Sequence, residues 1–383
     1  MKTAYLVLSD GTVFEGKAFG ADKECIGELV FTTGVVGYLE TLTDPCYGGQ
    51  IVVQTYPLIG NYGVIPGDIA GPAAVKGYVV RELCEVPSNF RSEGDLDTWL
   101  KDQGIPGICG IDTRQLTRIL RDNGVMNATI CREIPGDLEA VKTYTVPSAE
   151  AMAGITGTAI LPGEKRAKPG ILRFLSRILG GRKNDPAPVG PGAGGKKKRV
   201  TLMDCGATTA IVNELESRGC EVTVVPCNTA AESILAGAPH GVVISDGPGD
   251  PAGNPVCIGE VKKLIGKTPL FGIGLGHQIL AIAMGGQTVK LPYGHRGANQ
   301  PVTALGGGNT YITSQNHGYA VVSESVEGIG NVFMANANDD TCEAIEYPKH
   351  KAFSVQFHPE GCTGPVNTLF LYDRFISMMG GKN

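Results

Sequence analysis

The stretch Pro269-Leu270-Phe271-Gly272-Ile273-Gly274-Leu275-Gly276-His277-Gln278 organises the second half of this chain. Its apolar start, its closely spaced glycines and the apolar residues that follow Gln278 predict a buried strand that turns sharply into a helix. An elbow of this kind lifts the residue at its apex above the sheet, in a strained backbone conformation that aims a nucleophile at a substrate. The apex residue is Gly274.

Strands and helices alternate around this elbow. The order predicts a parallel sheet with helices on both faces, whose ligands bind at the carboxyl ends of the strands. The predicted strands are Val200–Met203, Glu221–Val225, Gly241–Ser245 and Leu270–Ile273, and the predicted helices are Ala207–Ser217, Ala230–Leu235 and Val256–Ile265.

Two further motifs follow strands of this half. Ser245-Asp246-Gly247-Pro248-Gly249-Asp250-Pro251 is rich in glycine, so its backbone N–H groups can approach a ligand closely and form part of an oxyanion hole. Ser354-Val355-Gln356-Phe357-His358-Pro359-Glu360 ends a strand with a histidine and a carboxylate. A His-Pro-Glu triplet alone also fits an exposed turn. In this context His358 is a candidate base and Glu360 the group that orients its imidazole.

These motifs resemble those of class I glutamine amidotransferases. The elbow resembles Gly-Ile-Cys-Leu-Gly-His-Gln, with Gly274 in place of the nucleophilic cysteine, and the glycine-rich motif resembles Asn-Gly-Pro-Gly-Asp-Pro, with Asp246 in place of the asparagine. The resemblance implies that Gly274, His358 and Glu360 occupy the catalytic positions. It also implies a glutamine site, formed by Cys46 (where a serine is usual), Gly247, Gly249, Leu275, Gln278, Asn316, Gly318 and Tyr319.

The chain departs from this family at another motif. Asp204-Cys205-Gly206-Ala207-Thr208-Thr209-Ala210-Ile211 aligns with Asp-x-Gly-x-Lys-x-Asn-Ile, so Thr208 and Ala210 replace a lysine and an asparagine. Changes beyond the nucleophile favour natural drift away from glutaminase function over a single engineered replacement.

The first half is strand-rich, with predicted strands at Tyr5–Leu8, Gly27–Thr33 and Gln50–Tyr56 and helical patterns at 95–100 and 113–122. Several of its phrases resemble the N-terminal domain of carbamoyl-phosphate synthase small subunits: Gly27–Thr33, Gly37–Pro45, Tyr56–Gly63 and Gly110–Arg118. The expected fold is α/β: this domain over residues 1–150, a linker over 151–198, and a class I glutamine amidotransferase domain over 199–383 with a mostly parallel sheet flanked by helices.

The predicted linker carries an unusual basic segment. Ile171–Leu179 is short, basic and amphipathic, and the Pro/Gly-rich stretch Asp185–Gly195 predicts a flexible connection. The basic segment fits either an acidic partner or membrane surface, or a short helix that covers the domain junction.

Composition excludes several classes of function. A net charge of −5 argues against general nucleic-acid binding, and no apolar stretch reaches the length of a membrane span. The N-terminus has no signal-peptide pattern, so we expect a cytoplasmic protein. The eleven cysteines lack CxxC pairs, which favours reduced, buried thiols and predicts no metal site.

The resemblance implies a heterodimer with a large synthase subunit. In the family, the small subunit hydrolyses glutamine and passes ammonia to the large subunit, which makes carbamoyl phosphate for pyrimidines and arginine from bicarbonate and two ATP. No cofactor is expected on this chain, and ATP and Mg²⁺ are expected on the large subunit.

Glycine at position 274 changes this expectation, because it offers His358 nothing to deprotonate. We predict a glutaminase-deficient subunit in a complex that relies on free ammonia, with glutamine bound without turnover. Cys205 and Cys362 lie near the motifs but not at the elbow, which argues against a replacement nucleophile. The alternatives are a non-catalytic glutamine-sensing or regulatory module, and a hydrolase of γ-glutamyl compounds, which the N-terminal domain and the missing thiol both disfavour.

Overall fold

A computed structural model describes residues 2–69, 71–156, 197–362 and 364–380, without the side-chain surroundings of residues 153–156. The basic segment Ile171–Leu179 and the Pro/Gly-rich stretch Asp185–Gly195 both lie outside the described residues, as does most of the predicted linker.

The N-terminal part is built on a closed seven-stranded barrel in the order β1-β2-β8-β6-β4-β3-β9. Its strands, with the pair β5 and β7 that forms a separate small sheet, are β1 Thr3–Leu8, β2 Val13–Gly20, β3 Cys25–Thr32, β4 Gln50–Gln54, β5 Leu58–Ile59, β6 Gly77–Val79, β7 Glu82–Leu83, β8 Pro106–Cys109 and β9 Met126–Cys131. Its helices are α1 Tyr38–Thr43, α2 Leu96–Asp102, α3 Thr113–Asn123, α4 Glu139–Lys142 and α5 Ala149–Thr156.

Local sequence explains the helices of this part. The side chain of Asp95 accepts a hydrogen bond from the Thr98 amide at the start of α2, and Asp112 caps α3 through the Gln115 amide. Such caps satisfy amides that have no partner within the helix. The strands and helices predicted in this half are confirmed, with ends shifted by a few residues.

The C-terminal part is built on a nine-stranded sheet in the order β11-β10-β12-β13-β18-β17-β16-β14-β15. The strands are β10 Lys198–Asp204, β11 Cys220–Pro226, β12 Gly241–Ile244, β13 Leu270–Ile273, β14 Thr288–Ala304, β15 Thr310–Val321, β16 Asn331–Asn336, β17 Cys342–Tyr347 and β18 Ala352–Val355. The helices are α6 Thr209–Ser217, α7 Ala231–Ala236, α8 Pro255–Leu264, α9 Leu275–Met284 and α10 Phe370–Gly380.

The first five strands in this order are mutually parallel, as the alternating pattern predicts. The remaining four pair antiparallel and extend the sheet on one side, which the sequence analysis did not predict. One face of the sheet packs on α8 and α9 and the other on α6 and α10, so both faces carry an apolar core. The parallel strands therefore form the rigid base of the predicted elbow.

No helix in the described part of the chain is long and apolar enough to cross a bilayer. All eleven cysteines are free thiols, and most of them are buried.

Candidate functional site

The predicted elbow lies between β13 and α9, with Gly274 at its apex. Gly274 has φ 55° and ψ −112°, a conformation that side chains rarely adopt. Its amide donates a hydrogen bond of 2.9 Å to the Val355 carbonyl on the neighbouring strand β18. The backbone geometry of a nucleophile elbow is thus present without a nucleophilic side chain.

The space that a side chain at position 274 would need is occupied by the carboxylate of Asp246. A Cβ atom on Gly274 would overlap Asp246 Cγ and both of its oxygens, well inside the 3.0 Å that real Cβ contacts respect. Asp246 is buried, at 3% exposure, and follows strand β12 beside the elbow. Glycine at the apex and aspartate at position 246 are therefore sterically complementary.

The same carboxylate also engages two backbone donors. The amides of Gly247 and Leu275 each donate a 2.7 Å hydrogen bond to Asp246 Oδ1. Two converging amides at a strand end and a helix N-terminus have the arrangement of an oxyanion hole. In this chain a resident carboxylate oxygen lies where such a hole would hold a developing negative charge.

His358 follows β18 and lies beside this carboxylate. Its Nδ1 is 3.2 Å from Glu360 Oε1, which also accepts from the Thr208 hydroxyl at 3.4 Å. The Tyr372 hydroxyl donates to the other Glu360 oxygen at 3.3 Å. The structure therefore brings the predicted base and its orienting carboxylate together.

The other ring nitrogen of His358 makes no hydrogen bond. Nε2 is buried and lies 3.4 Å from Asp246 Oδ2, an ion-pair distance. Burial alone would lower the pKa of His358, but the Glu360 hydrogen bond and the nearby carboxylates raise it to about 10. Burial raises the pKa of Asp246 to about 6, against the opposing effects of His358 and the two amides. His358 thus faces a carboxylate where the resemblance to class I glutamine amidotransferases implies a thiol.

The N-terminal part contributes Asp44 and Cys46 to this site. The Cys46 amide donates to Asp44 Oδ1 at 2.9 Å, and Asn316 Nδ2 donates to Asp44 Oδ2 at 3.2 Å. The Cys46 thiol is buried within hydrogen-bonding reach of Asp44 and Asp246, and burial together with these carboxylates raises its pKa. Sequence reasoning included Cys46 but missed Asp44, whose place in the site depends on a contact between the two halves.

A cavity of about 410 Å³ adjoins the elbow, between the two halves of the chain. The structure places around it all eight residues of the predicted glutamine site: Cys46, Gly247, Gly249, Leu275, Gln278, Asn316, Gly318 and Tyr319. Their role in binding glutamine remains a prediction.

Close packing explains why two of these residues are glycines, and hydrogen bonds explain how a third is held. A Cβ on Gly247 would overlap the Cys205 carbonyl oxygen, and one on Gly249 would lie 2.7 Å from the Pro147 carbonyl oxygen. Gln278 is fixed through its Nε2, which donates to the Tyr319 carbonyl at 2.7 Å and to Gln356 at 2.8 Å. The cavity wall on the elbow side is therefore held by close backbone contacts and side-chain hydrogen bonds.

The two cysteines considered as replacement nucleophiles lie elsewhere. Cys205 contacts Cys227 and Cys257 in the core beneath the glycine-rich motif. Cys362 lines a small cavity of about 20 Å³ that His358 and Asp44 also border. Neither thiol lies at the elbow apex, as the sequence analysis expected.

Two family models match the chain: "Carbamoyl-phosphate synthase small chain, CPSase domain" over residues 6–130, and "Glutamine amidotransferase class-I" over residues 201–378. Carbamoyl phosphate synthase small chains of Listeria monocytogenes serotype 4b and Oceanobacillus iheyensis are each 44% identical to it, over 100% and 99% of this chain and 98% and 96% of theirs. A glutamine amidotransferase structure from Thermotoga maritima aligns at TM-score 0.36 and 15% identity, covering 43% of this chain and 77% of its own.

Proposed function

Since the chain belongs to the carbamoyl-phosphate synthase small-chain family, we propose that it acts as the small subunit of such a synthase without hydrolysing glutamine itself. Its partner is then a large subunit that carries ATP and Mg²⁺ and draws on free ammonia. This chain itself needs no cofactor for that role.

The observation that carries the proposal is the position of the Asp246 carboxylate. The thioester route of glutamine hydrolysis needs a thiol at position 274, an adjacent base and an oxyanion hole. Gly274 supplies no thiol, and Asp246 fills both the space of the missing side chain and the hydrogen bonds of the two converging amides.

The charge of Asp246 is a second obstacle to glutamine hydrolysis. A tetrahedral intermediate develops negative charge at the oxyanion position, where the buried Asp246 carboxylate lies. A negative charge there repels the developing oxyanion, so any weak nucleophile in the cavity would also lack transition-state stabilisation. Loss of the nucleophile alone typically costs a factor on the order of 10⁴ to 10⁶ in rate.

The decisive experiment compares nitrogen sources in the reconstituted complex of this chain with its large subunit. We expect carbamoyl phosphate formation with ammonium chloride and bicarbonate, and a rate with glutamine at least about 10³-fold below that of a glutaminase-competent small chain. A matched control replaces this chain by a small chain with cysteine at the elbow. Equal rates with glutamine and with ammonium chloride would overturn the proposal.

The cavity supports a second candidate, in which the chain binds glutamine as a non-catalytic sensor or regulatory module. The eight residues of the predicted glutamine site surround about 410 Å³ of space beside the blocked elbow, so the pocket has room for a ligand. Titration calorimetry with glutamine tests this candidate. Saturable heat with no glutamate release supports it, and the absence of heat at millimolar glutamine excludes it.

A further inference from the structure

The residues around His358 have the chemistry and spacing of a metal site. One ligand atom each from Asp44, Cys46 and His358 lies within 4.8 Å of the other two, and all three residues are buried. Asp246 Oδ2 adds a fourth candidate at 3.4 Å from His358 Nε2. We propose that this cluster binds one zinc ion. The ion would link the two halves of the chain at the position where a glutaminase has its catalytic thiol and imidazole, and the imidazole of His358 would become a ligand.

The donor set suits zinc. One thiolate, one imidazole and carboxylate oxygens are the ligands that zinc takes in tetrahedral sites, at about 2.0–2.3 Å. Two ligands on one tetrahedral zinc are therefore about 3.3–3.8 Å apart. The 3.4 Å between Asp246 Oδ2 and His358 Nε2 falls in this range, and the two atoms make no hydrogen bond with each other.

The unpartnered ring nitrogen is an independent sign of a ligand. His358 is 2% exposed, and its Nε2 points into the cluster without a hydrogen-bond partner. Buried polar atoms in native proteins are nearly always satisfied, so an orphaned nitrogen beside a thiol and carboxylates needs an explanation. Coordination of a metal by Nε2 supplies one.

The surrounding hydrogen bonds orient these side chains for metal binding. His358 Nδ1 pairs with Glu360, which is the carboxylate–histidine arrangement common behind zinc ligands. The amides of Gly247 and Leu275 hold Asp246 Oδ1 and leave Oδ2 facing the imidazole, while Cys46 and Asn316 hold the Asp44 carboxylate. Each side chain that would bind the ion through nitrogen or oxygen is thus already fixed by a second partner.

The charges of the buried side chains also favour a bound metal ion. Asp44, Asp246 and Glu360 place three buried carboxylates around one imidazole. Buried charges are costly unless they are paired or bind a metal, and a divalent cation balances this excess of negative charge. Sequence spacing could not reveal the site, because its ligands come from three widely separated stretches of the chain, at 44–46, 246 and 358.

The experiment measures zinc binding to the full chain after removal of metals with a chelator. We expect one zinc per chain at low micromolar concentration, and a thiolate-to-metal charge-transfer absorption when Co²⁺ replaces zinc. Cys46→Ser should abolish that absorption and weaken zinc binding by at least about 10-fold, and Glu360→Gln should weaken it about 10- to 100-fold while leaving the absorption in place. Zinc should also raise the thermal midpoint of the parent chain more than that of Cys46→Ser.

Cys227→Ser is the matched control, because it removes a thiol from the cysteine cluster of the core and leaves the proposed site intact. We expect its zinc binding and Co²⁺ spectrum to equal those of the parent chain. The proposal is wrong if the parent chain takes up no stoichiometric zinc, or if Cys227→Ser loses binding while Cys46→Ser keeps it. Circular dichroism of each metal-free variant separates loss of the site from loss of the fold.

Discussion

Two clusters of buried histidine and carboxylate lie in the part of the chain that the structure describes, and they differ in how completely their hydrogen bonds are made. The open cluster consists of Asp44, Cys46, Asp246 and His358, and its imidazole Nε2 has no hydrogen-bond partner. The closed cluster consists of His295, His317 and Glu343, whose ligand atoms also lie within 4.8 Å of one another. Residue types and spacing alone do not separate the two.

In the closed cluster every ring nitrogen and carboxylate oxygen meets a polar partner. His295 Nε2 lies 2.8 Å from Asp339, and the two His317 nitrogens lie 2.8 and 3.0 Å from the oxygens of Tyr319 and Gln315. Glu343 accepts from Asn336 and Gln315 at 3.1 and 2.9 Å. The polar atoms of this cluster all face protein partners, whereas His358 Nε2 in the open cluster has none. We therefore interpret the closed cluster as part of the core and the open one as the candidate ligand site.

The largest expected effect tests whether the open cluster can be turned back into a catalytic pair. We expect Gly274→Cys combined with Asp246→Asn to raise glutamate release from glutamine about 10³-fold over the parent chain, because it restores a thiol beside His358. Glutamate release by Gly274→Cys alone should be at least about 10-fold lower than that of the double variant. Its new Cβ must displace a carboxylate that holds two charge-assisted hydrogen bonds, whereas a neutral amide leaves them more easily.

Adding His358→Asn to that double variant should remove the gain, which is the control for contaminating glutaminases. Equal activity of the single and double variants would show that Asp246 does not obstruct the elbow. No gain in either would place the block at the other departures, Thr208 and Ala210, of which Thr208 contacts Glu360.

The sequence revealed the local parts of this architecture and missed the long-range ones. The elbow, the parallel strands and the caps at Asp95 and Asp112 depend on residues close together in the chain, where periodicity, glycines and capping side chains are informative. The closed barrel depends on pairing between distant segments, such as β1 with β9, which no local pattern encodes. The four antiparallel strands are an exception, because β14 pairs with β15 and β16 with β17, the next strand along the chain, and they were missed although this pairing is local.

The open cluster shows the same limit. Asp246 was recognised as a substitution for asparagine, and Gly274 as a substitution for cysteine, but their complementarity appears only when β12 and the elbow are side by side. Paired departures in two adjacent motifs were the available signal. No signal in the sequence indicated Asp44, because its contact with Asn316 joins residues 272 positions apart.

A smaller effect, on the free energy of unfolding, is expected when one carboxylate of each cluster is replaced by an amide of the same shape. Glu343→Gln should lower the free energy of unfolding by about 3 kcal/mol, because an amide NH₂ group then faces the donors of Asn336 or Gln315 beside His295. Urea unfolding at pH 7 in the presence of a chelator measures it.

Asp246→Asn is the matched substitution in the open cluster. Its Oδ1 can keep the amides of Gly247 and Leu275, and its Nδ2 replaces an oxygen that makes no hydrogen bond with His358. The carboxylates of Asp44 and Glu360 still face the protonated imidazole. We expect a change within about 1 kcal/mol of the parent chain. A loss as large as that of Glu343→Gln would mean that the open cluster is as structural as the closed one.

The smallest effect concerns a fourth buried histidine, His277. Like His358, it has an Nε2 without a hydrogen-bond partner, but its other ring nitrogen contacts the Ser354 hydroxyl instead of a carboxylate. Burial lowers the pKa of His277 to about 3, so the folded chain keeps it neutral. The unfolded chain takes up a proton below about pH 6.5, so this group's contribution to stability is complete above that pH and is lost as pH falls toward 3. At pH 5 the loss is about 2 kcal/mol.

His277→Asn removes this proton linkage. The variant should be less stable than the parent chain at pH 7.5, and the gap should shrink by about 2 kcal/mol at pH 5, as measured by urea unfolding at both values. Taking the difference between the two chains cancels the other titrating groups that they share. His358 has a raised pKa and the opposite sign: its contribution is complete below about 6.5 and is lost as pH rises toward 10. A gap that stays constant with pH would mean that His277 has the same pKa in the folded and unfolded chains. A gap that widens at pH 5 would mean that His277 is protonated in the folded chain, and a missing partner on Nε2 would then mark a hidden charge rather than a neutral ring.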